Sequence, residues 1–114
     1  MRILLDECVP GRLRRALPNH DVSTVVQLGW SGVKNGKLLA LSSTKFDAFV
    51  TVDKNLPYQQ NQATLPIAVL VLNAYSNELR SLLPLIPTLE KRLSSLVPGS
   101  YVLVTADEVG KPIA

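Results

Sequence analysis

Six consecutive aliphatic residues, Ile67-Ala68-Val69-Leu70-Val71-Leu72, follow Pro66 with no polar residue among them. A strand with one wet face alternates apolar and polar residues. An unbroken run marks a strand covered on both faces, as in a parallel sheet with helices above and below. At about a third of the length a bilayer requires, the same run is too short to span a membrane.

The other segments fall into place around this strand. Arg2-Ile3-Leu4-Leu5 is a second buried strand, cut off by Asp6-Glu7. Pro10 stands where a helix can begin, and Leu13, Ala16 and Leu17 recur at helical spacing, with Arg12, Arg14 and Arg15 on the outer face. Pro18-Asn19 ends that helix, and Asp21 to Val26 reads as a strand. The turn-rich Gly29-Trp30-Ser31-Gly32 leads to Asn35, an N-cap for a helix over Gly36 to Lys45. Ala48 to Val52 is a β-rich run that ends, like the first, on an acid, Asp53. The amide-rich stretch 54–62 reads as a loop with one helical turn. Leu79, Leu82, Ile86, Leu89, Leu93 and Leu96 form a helical stripe, but Pro84 and Pro87 each delete a backbone donor, so two short helices or one kinked helix follow. Pro98-Gly99 closes the stripe before a last strand over Tyr101 to Thr105. The alternation predicts a three-layer α/β/α sandwich on a mostly parallel sheet. In such sheets ligands bind beyond the carboxyl ends of the strands, where strand order reverses.

Composition narrows the class. The 114 residues suit one domain, 1–114, with one core; 46% are hydrophobic and only 18% charged, which excludes a disordered chain. Cys8 is the only cysteine, so an internal disulfide is excluded and a cysteine-built zinc site is not expected. Asp6-Glu7 interrupt the N-terminal apolar segment too soon for a secretory signal, and a cytoplasmic, non-membrane protein is expected. Residues 1–57 carry eight Lys or Arg against five Asp or Glu, while residues 58–114 carry four of each. The whole net charge of +3 thus lies in the first half, and with a pI near 9.2 it points to a polyanion, nucleic acid before membrane.

Asp6, Glu7 and Asp53 carry the chemistry. If the first and third strands are neighbours, Asp6 and Asp53 converge in one cleft. Like charges brought together disfavour joint ionisation, so the group calls for a cation or a raised pKa. Oxygen-only ligation with retained waters suits Mg²⁺ or Mn²⁺. The bland alternative is that these acids only cap turns. His20 reads as a surface turn residue, Cys8 as a small buried apolar group, and Trp30 as a loop anchor before a base-stacking platform. Ser31, Ser42 and Ser43 have neither an elbow motif nor a nearby histidine, which excludes a serine hydrolase.

Together, Met1 to Pro10 with "LLDE", Asp21-Val22, Leu28-Gly29-Trp30-Ser31-Gly32, Leu38-Leu39-Ala40-Leu41, and Asp47 to Asp53 followed by Lys54-Asn55 resemble the short PIN-like proteins, a domain family of unknown function related to VapC-type toxins. The resemblance runs over about the first 75 residues. It implies a PIN-like α/β/α sandwich and a Mg²⁺- or Mn²⁺-dependent endoribonuclease that hydrolyses RNA phosphodiester bonds, the toxin of a toxin–antitoxin pair. Residue by residue, Asp6 takes the place of the first metal-binding acid, Asp53 that of the acid after the third strand, and Glu7 that of the acid following the first. Asn55 and Asn35 would add oxygen donors, and Arg12, Arg14, Arg15, Lys34, Lys37 and Lys54 would hold the RNA backbone. A cognate antitoxin is the implied partner. A mean hydropathy of +0.19 agrees with an apolar face for it, or for a homodimer.

Two departures define a second reading. Where relatives open the middle helix with acids this chain has Val33-Lys34-Asn35-Gly36-Lys37, and Asn55-Leu56 stand where a further acid and an aromatic are usual. The alternative is therefore a PIN-like module that binds RNA or protein without cleaving. A remote third reading, a receiver domain phosphorylated on Asp53, has Lys111-Pro112 after the last strand in its favour. It lacks the final helix and the Ser or Thr expected near Asn73.

Overall fold

The computed structural model describes residues 1–106. They form five strands, β1 (Arg2–Leu5), β2 (Asp21–Thr24), β3 (Ala48–Thr51), β4 (Ala68–Leu72) and β5 (Tyr101–Val104), in one sheet of order β2-β1-β3-β4-β5. Every pairing is parallel. The α-helices are α1 (Asn35–Ser43), α2 (Leu56–Gln59), α3 (Leu79–Leu82) and α4 (Ile86–Ser94).

Side chains of successive strand residues enter opposite layers. Ile3, Leu5, Ala48, Val50, Leu70 and Leu72 pack with Leu13, Leu82, Leu85, Leu89 and Leu93 on one face. Leu4, Phe49, Val69 and Val71 pack with Leu38, Leu39 and Leu56 on the other. This is the three-layer α/β arrangement, and all five residues of β4 are buried, as its unbroken apolar run requires. Each layer depends on the period of two along the strand, which sends alternate side chains to opposite faces.

Local differences have local causes. The segment after Pro10 is a 3-10 helix, Gly11–Ala16, rather than an α-helix, although Leu13 is buried and Arg12, Arg14 and Arg15 face outward as expected. β2 stops at Thr24 instead of Val26. There the Gln27 side chain accepts from Thr24 N (2.9 Å) and Gln27 N donates to Thr24 Oγ1 (3.1 Å), which turns the chain away. Asn35 is not the cap of α1. Lys34 holds that position because Leu38 N donates to Lys34 O (2.8 Å), so helical bonding begins one residue earlier. The leucine stripe breaks at its prolines as expected, into α3, a 3-10 turn over Leu83–Leu85, and α4. Lys111-Pro112, on which the receiver reading drew, lies outside the described residues. Among the described residues no helix is long and apolar enough to cross a membrane.

Gly99 turns the chain into β5 with φ of 73°, and a Cβ there would lie 3.0 Å from the Leu65 carbonyl oxygen. Gly36, in the first turn of α1, would bring a Cβ only to 3.5 Å from the side-chain end of Gln60. In urea unfolding, Gly99→Ala is therefore expected to lose more than about 1 kcal/mol, whereas Gly36→Ala should gain roughly 0.4–1 kcal/mol. Equal midpoints for the two variants would contradict these backbone roles.

Candidate active site

Leu5 pairs with Val50 across β1 and β3, and Asp6 N continues the ladder to Val50 O at 2.9 Å. β1 and β3 are thus neighbours, and strand order reverses between them, since β2 lies beyond β1 while β4 and β5 lie beyond β3. The two acids leave the sheet at the point where chains on opposite faces diverge and open a cleft.

Asp6 is 8% exposed, and its carboxylate is well supplied with donors. Oδ1 accepts from Glu7 N at 2.8 Å, and Oδ2 accepts from the Thr51 hydroxyl at 2.8 Å, with the Cys8 thiol at 3.6 Å. A buried carboxylate is tolerable only where hydrogen bonds replace lost hydration, and those to a charged acceptor are the strong kind. Thr51 is fully buried, and its hydroxyl oxygen also accepts from Asp53 N at 3.1 Å. One hydroxyl therefore ties the Asp6 side chain to the backbone that carries Asp53. Asp53 is half-buried, and its Oδ1 accepts from Asn55 N at 2.9 Å, which fixes its turn. Sequence reasoning missed Thr51, whose only signal was its register one residue after Val50, opposite Asp6.

The remaining candidates are distributed unevenly. Glu7 is exposed, and its Oε1 stands 3.4 Å from Gly32 N, in the loop before α1. Asn35 is half-buried at the start of α1, with Lys34 and Lys37 exposed beside it. Asn55 is exposed at the start of α2, and Lys54 Nζ donates to Ala74 O at 3.2 Å. Asp6 and Glu7 line a cavity of about 370 Å³, while Arg12, Arg14 and Arg15 line a second one of about 310 Å³. Among the described residues, no three His, Cys, Asp or Glu side chains come close enough to share a metal ion. Asp6 and Asp53 each carry oxygen donors, the type that Mg²⁺ or Mn²⁺ prefers, and of the two Asp6 lines the cavity of about 370 Å³. Glu7 does not close a three-acid group with them.

Three expectations about other residues sharpen. His20 closes the turn after Pro18-Asn19 as expected but is not at the surface: its side chain is 15% exposed and its Nε2 lies 2.5 Å from Glu90 Oε1 on α4. Trp30 anchors its loop, meeting Phe46 edge-on at 6.5 Å with Lys45 Nζ 5.9 Å from its ring. Cys8 packs against the core, yet it also touches the site through Asp6 and Thr51. Burial pushes its thiol above the usual 9.0. Hydrogen bonds to Thr51 and the Val52 backbone pull it down, and the Asp6 charge pushes it up again.

Comparison with protein-family models, curated proteins and solved structures finds no match to this chain.

Thr51→Val removes the shared hydroxyl at constant shape and leaves one Asp6 oxygen short of a donor. It is expected to cost about 1.5–3 kcal/mol by urea unfolding, the range for hydrogen bonds to charged groups; a loss under about 0.5 kcal/mol would show that the hydroxyl is not the link. The rate of Cys8 alkylation by iodoacetamide should rise with a midpoint above pH 9.0 in the folded protein. Because the Asp6 charge favours the neutral thiol, Asp6→Asn should move that midpoint down and speed the reaction at pH 8. An unchanged or higher midpoint in that variant would contradict the contact.

Proposed function

We propose that this chain is a PIN-like, metal-dependent ribonuclease and the toxin half of a toxin–antitoxin pair. The observation that carries the reading is the Thr51 bridge: it holds the Asp6 carboxylate and the Asp53 backbone together at the reversal point of a parallel sheet. An acid that only caps a turn needs no partner 45 residues away. The resemblance over the first 75 residues assigns the same two acids to the metal.

In this mechanism Asp6 and Asp53 would hold Mg²⁺ or Mn²⁺, with Glu7 and Asn55 in outer positions. The cation, when bound, supplies Lewis acidity for attack of water on a phosphodiester and offsets the charge that develops there. The chain's own contribution is orientation. Glu7 N and the Thr51 hydroxyl fix the plane of the Asp6 carboxylate, and Asn55 N fixes Asp53. Ligands held before the substrate arrives need little reorganisation during reaction. Arg12, Arg14, Arg15, Lys34, Lys37 and Lys54 provide the positive surface on which an RNA backbone would rest. An antitoxin, or a second copy of the chain, is the partner such a toxin requires. The cavity of about 340 Å³ between Met1, Phe46, Pro66, Ile67, Leu96 and Pro98 is a mainly apolar recess that suits one.

A specific observation favours the second reading, a PIN-like binding module without cleavage. No third acid joins Asp6 and Asp53 among the described residues, and Lys37 and Asn35 stand at the helix start where the resemblance expects acids. Fewer carboxylates mean weaker cation binding.

Single-stranded RNA incubated with the protein and Mn²⁺ is expected to be cleaved, and cleavage should fall below detection in Asp6→Asn and in Asp53→Asn. Undiminished cleavage in both variants would sink the mechanism. Absence of cleavage by the parent protein, with no calorimetric heat from Mn²⁺, would select the binding module.

A further inference from the structure

We propose that the arginine-lined cavity is a subsite for an uncleaved phosphate, so that a single nucleic-acid strand lies across the carboxyl edge of the sheet, from that cavity past the acids to Tyr75. This deepens the proposed function and rests on its nucleic-acid substrate. The two cavities are contiguous, since Gly11 and Thr24 line both. Thr24 pairs with Leu5, the residue before Asp6, so the sill between the cavities stands about one strand spacing, ~5 Å, from the exit that carries Asp6 and about two from that of β3, which carries Asp53. A phosphate on the far side of that sill belongs to a neighbouring nucleotide.

The charges on the two sides are opposite. Arg12, Arg14 and Arg15 lie within one six-residue 3-10 segment, and none of them has an acidic partner among the described residues. Elsewhere exposed arginines do pair, Arg2 with Asp47 and Arg80 with Glu78. Three unneutralised guanidinium groups around one cavity repel each other, and a phosphate relieves that repulsion while matching the planar donor fork. Thr24 and Gln27 stiffen the wall through their reciprocal hydrogen bonds. The opposite end of the path is marked by Tyr75, 96% exposed in the loop after β4. That loop is held on both sides of the tyrosine, by Lys54 Nζ on Ala74 O (3.2 Å) and by Asn77 Nδ2 on Cys8 O (3.3 Å). An exposed aromatic ring on a tethered loop is a stacking surface for an unpaired base, which favours a single strand over a duplex.

The test is fluorescence anisotropy with a short labelled single-stranded RNA in EDTA, read against salt. Arg14, Arg15 and Tyr75 are all exposed, so their variants should keep the parent melting temperature. The double variant Arg14→Gln with Arg15→Gln is expected to weaken binding about tenfold or more, and to flatten the slope of log K against log salt by roughly 0.7 for the lost phosphate. The corresponding double lysine variant should restore the slope. Tyr75→Ala should weaken binding about fivefold or more without changing the slope. Parent-like affinity and slope in the double glutamine variant would overturn the subsite. So would tighter binding of the duplex than of the single strand, or displacement of RNA by micromolar inorganic phosphate, which would assign the cavity to a free anion. Asp6→Asn separates this proposal from the nuclease reading. If the parent protein fails to cleave but its binding still depends on the arginines and survives Asp6→Asn, catalysis falls and the subsite stands. If cleavage is intact but binding is indifferent to the arginines, catalysis stands and the subsite falls.

Discussion

The pairing of β1 with β3 is the contact on which the rest of the structure depends. Leu5 and Val50 are fully buried partners, and the Asp6 amide extends their ladder to the last residue before the chain leaves the sheet. From this seam the connections part. The 3-10 segment after β1 packs with α3 and α4 under one face, while α1 and α2 cover the other. Neighbouring chains leave this seam toward opposite faces, the arrangement that opens a cleft at the carboxyl end of a parallel sheet. A cleft there follows from topology, before any side chain is considered.

What occupies the cleft is set by hydrogen bonding. A carboxyl group at 8% exposure needs hydrogen-bond partners in place of lost hydration, and Asp6 has a backbone amide, a hydroxyl and a thiol within reach. Thr51 serves both sides, since its proton goes to Asp6 and its lone pair receives the Asp53 amide. The same group that satisfies a buried charge therefore fixes the distance between two strands' exits. Fold stability and site geometry are coupled through one oxygen atom.

Charge around the cleft is distributed by pairing. Arg2 and Arg80 stand beside acids, Asp47 and Glu78, so those charges are locally balanced. The arginines of the 3-10 segment are left to solvent beside a recessed acid. A net excess of +3, unremarkable as a total, thus includes three arginines gathered around one cavity on the β2 side. Without Asp6, Glu7 and Asp53 the first 57 residues would carry eight cationic groups against two acids.

The sequence by itself determined where the strands and the breaks in the leucine stripe fall. Unbroken or alternating apolar runs mark β1, β3, β4 and β5, and Pro84 and Pro87 break the leucine stripe wherever it packs, because a missing amide donor acts at its own position. The acids Asp6 and Asp53 stand where strands end for the same reason. Element ends were less legible: β2 stops early and Lys34 replaces Asn35 as cap, each decided by one hydrogen bond between near neighbours. Only the tertiary structure decided which strands adjoin, and with it every contact between distant residues. Thr51 reached Asp6 across 45 residues and His20 reached Glu90 across 70, and neither contact leaves a period or a motif in the chain. The cavity shared by Arg14, Arg15, Thr24 and Gln27 likewise exists only because β2 lies beside β1. Periodicity reports which face of an element is buried; it carries no information about the partner that buries it.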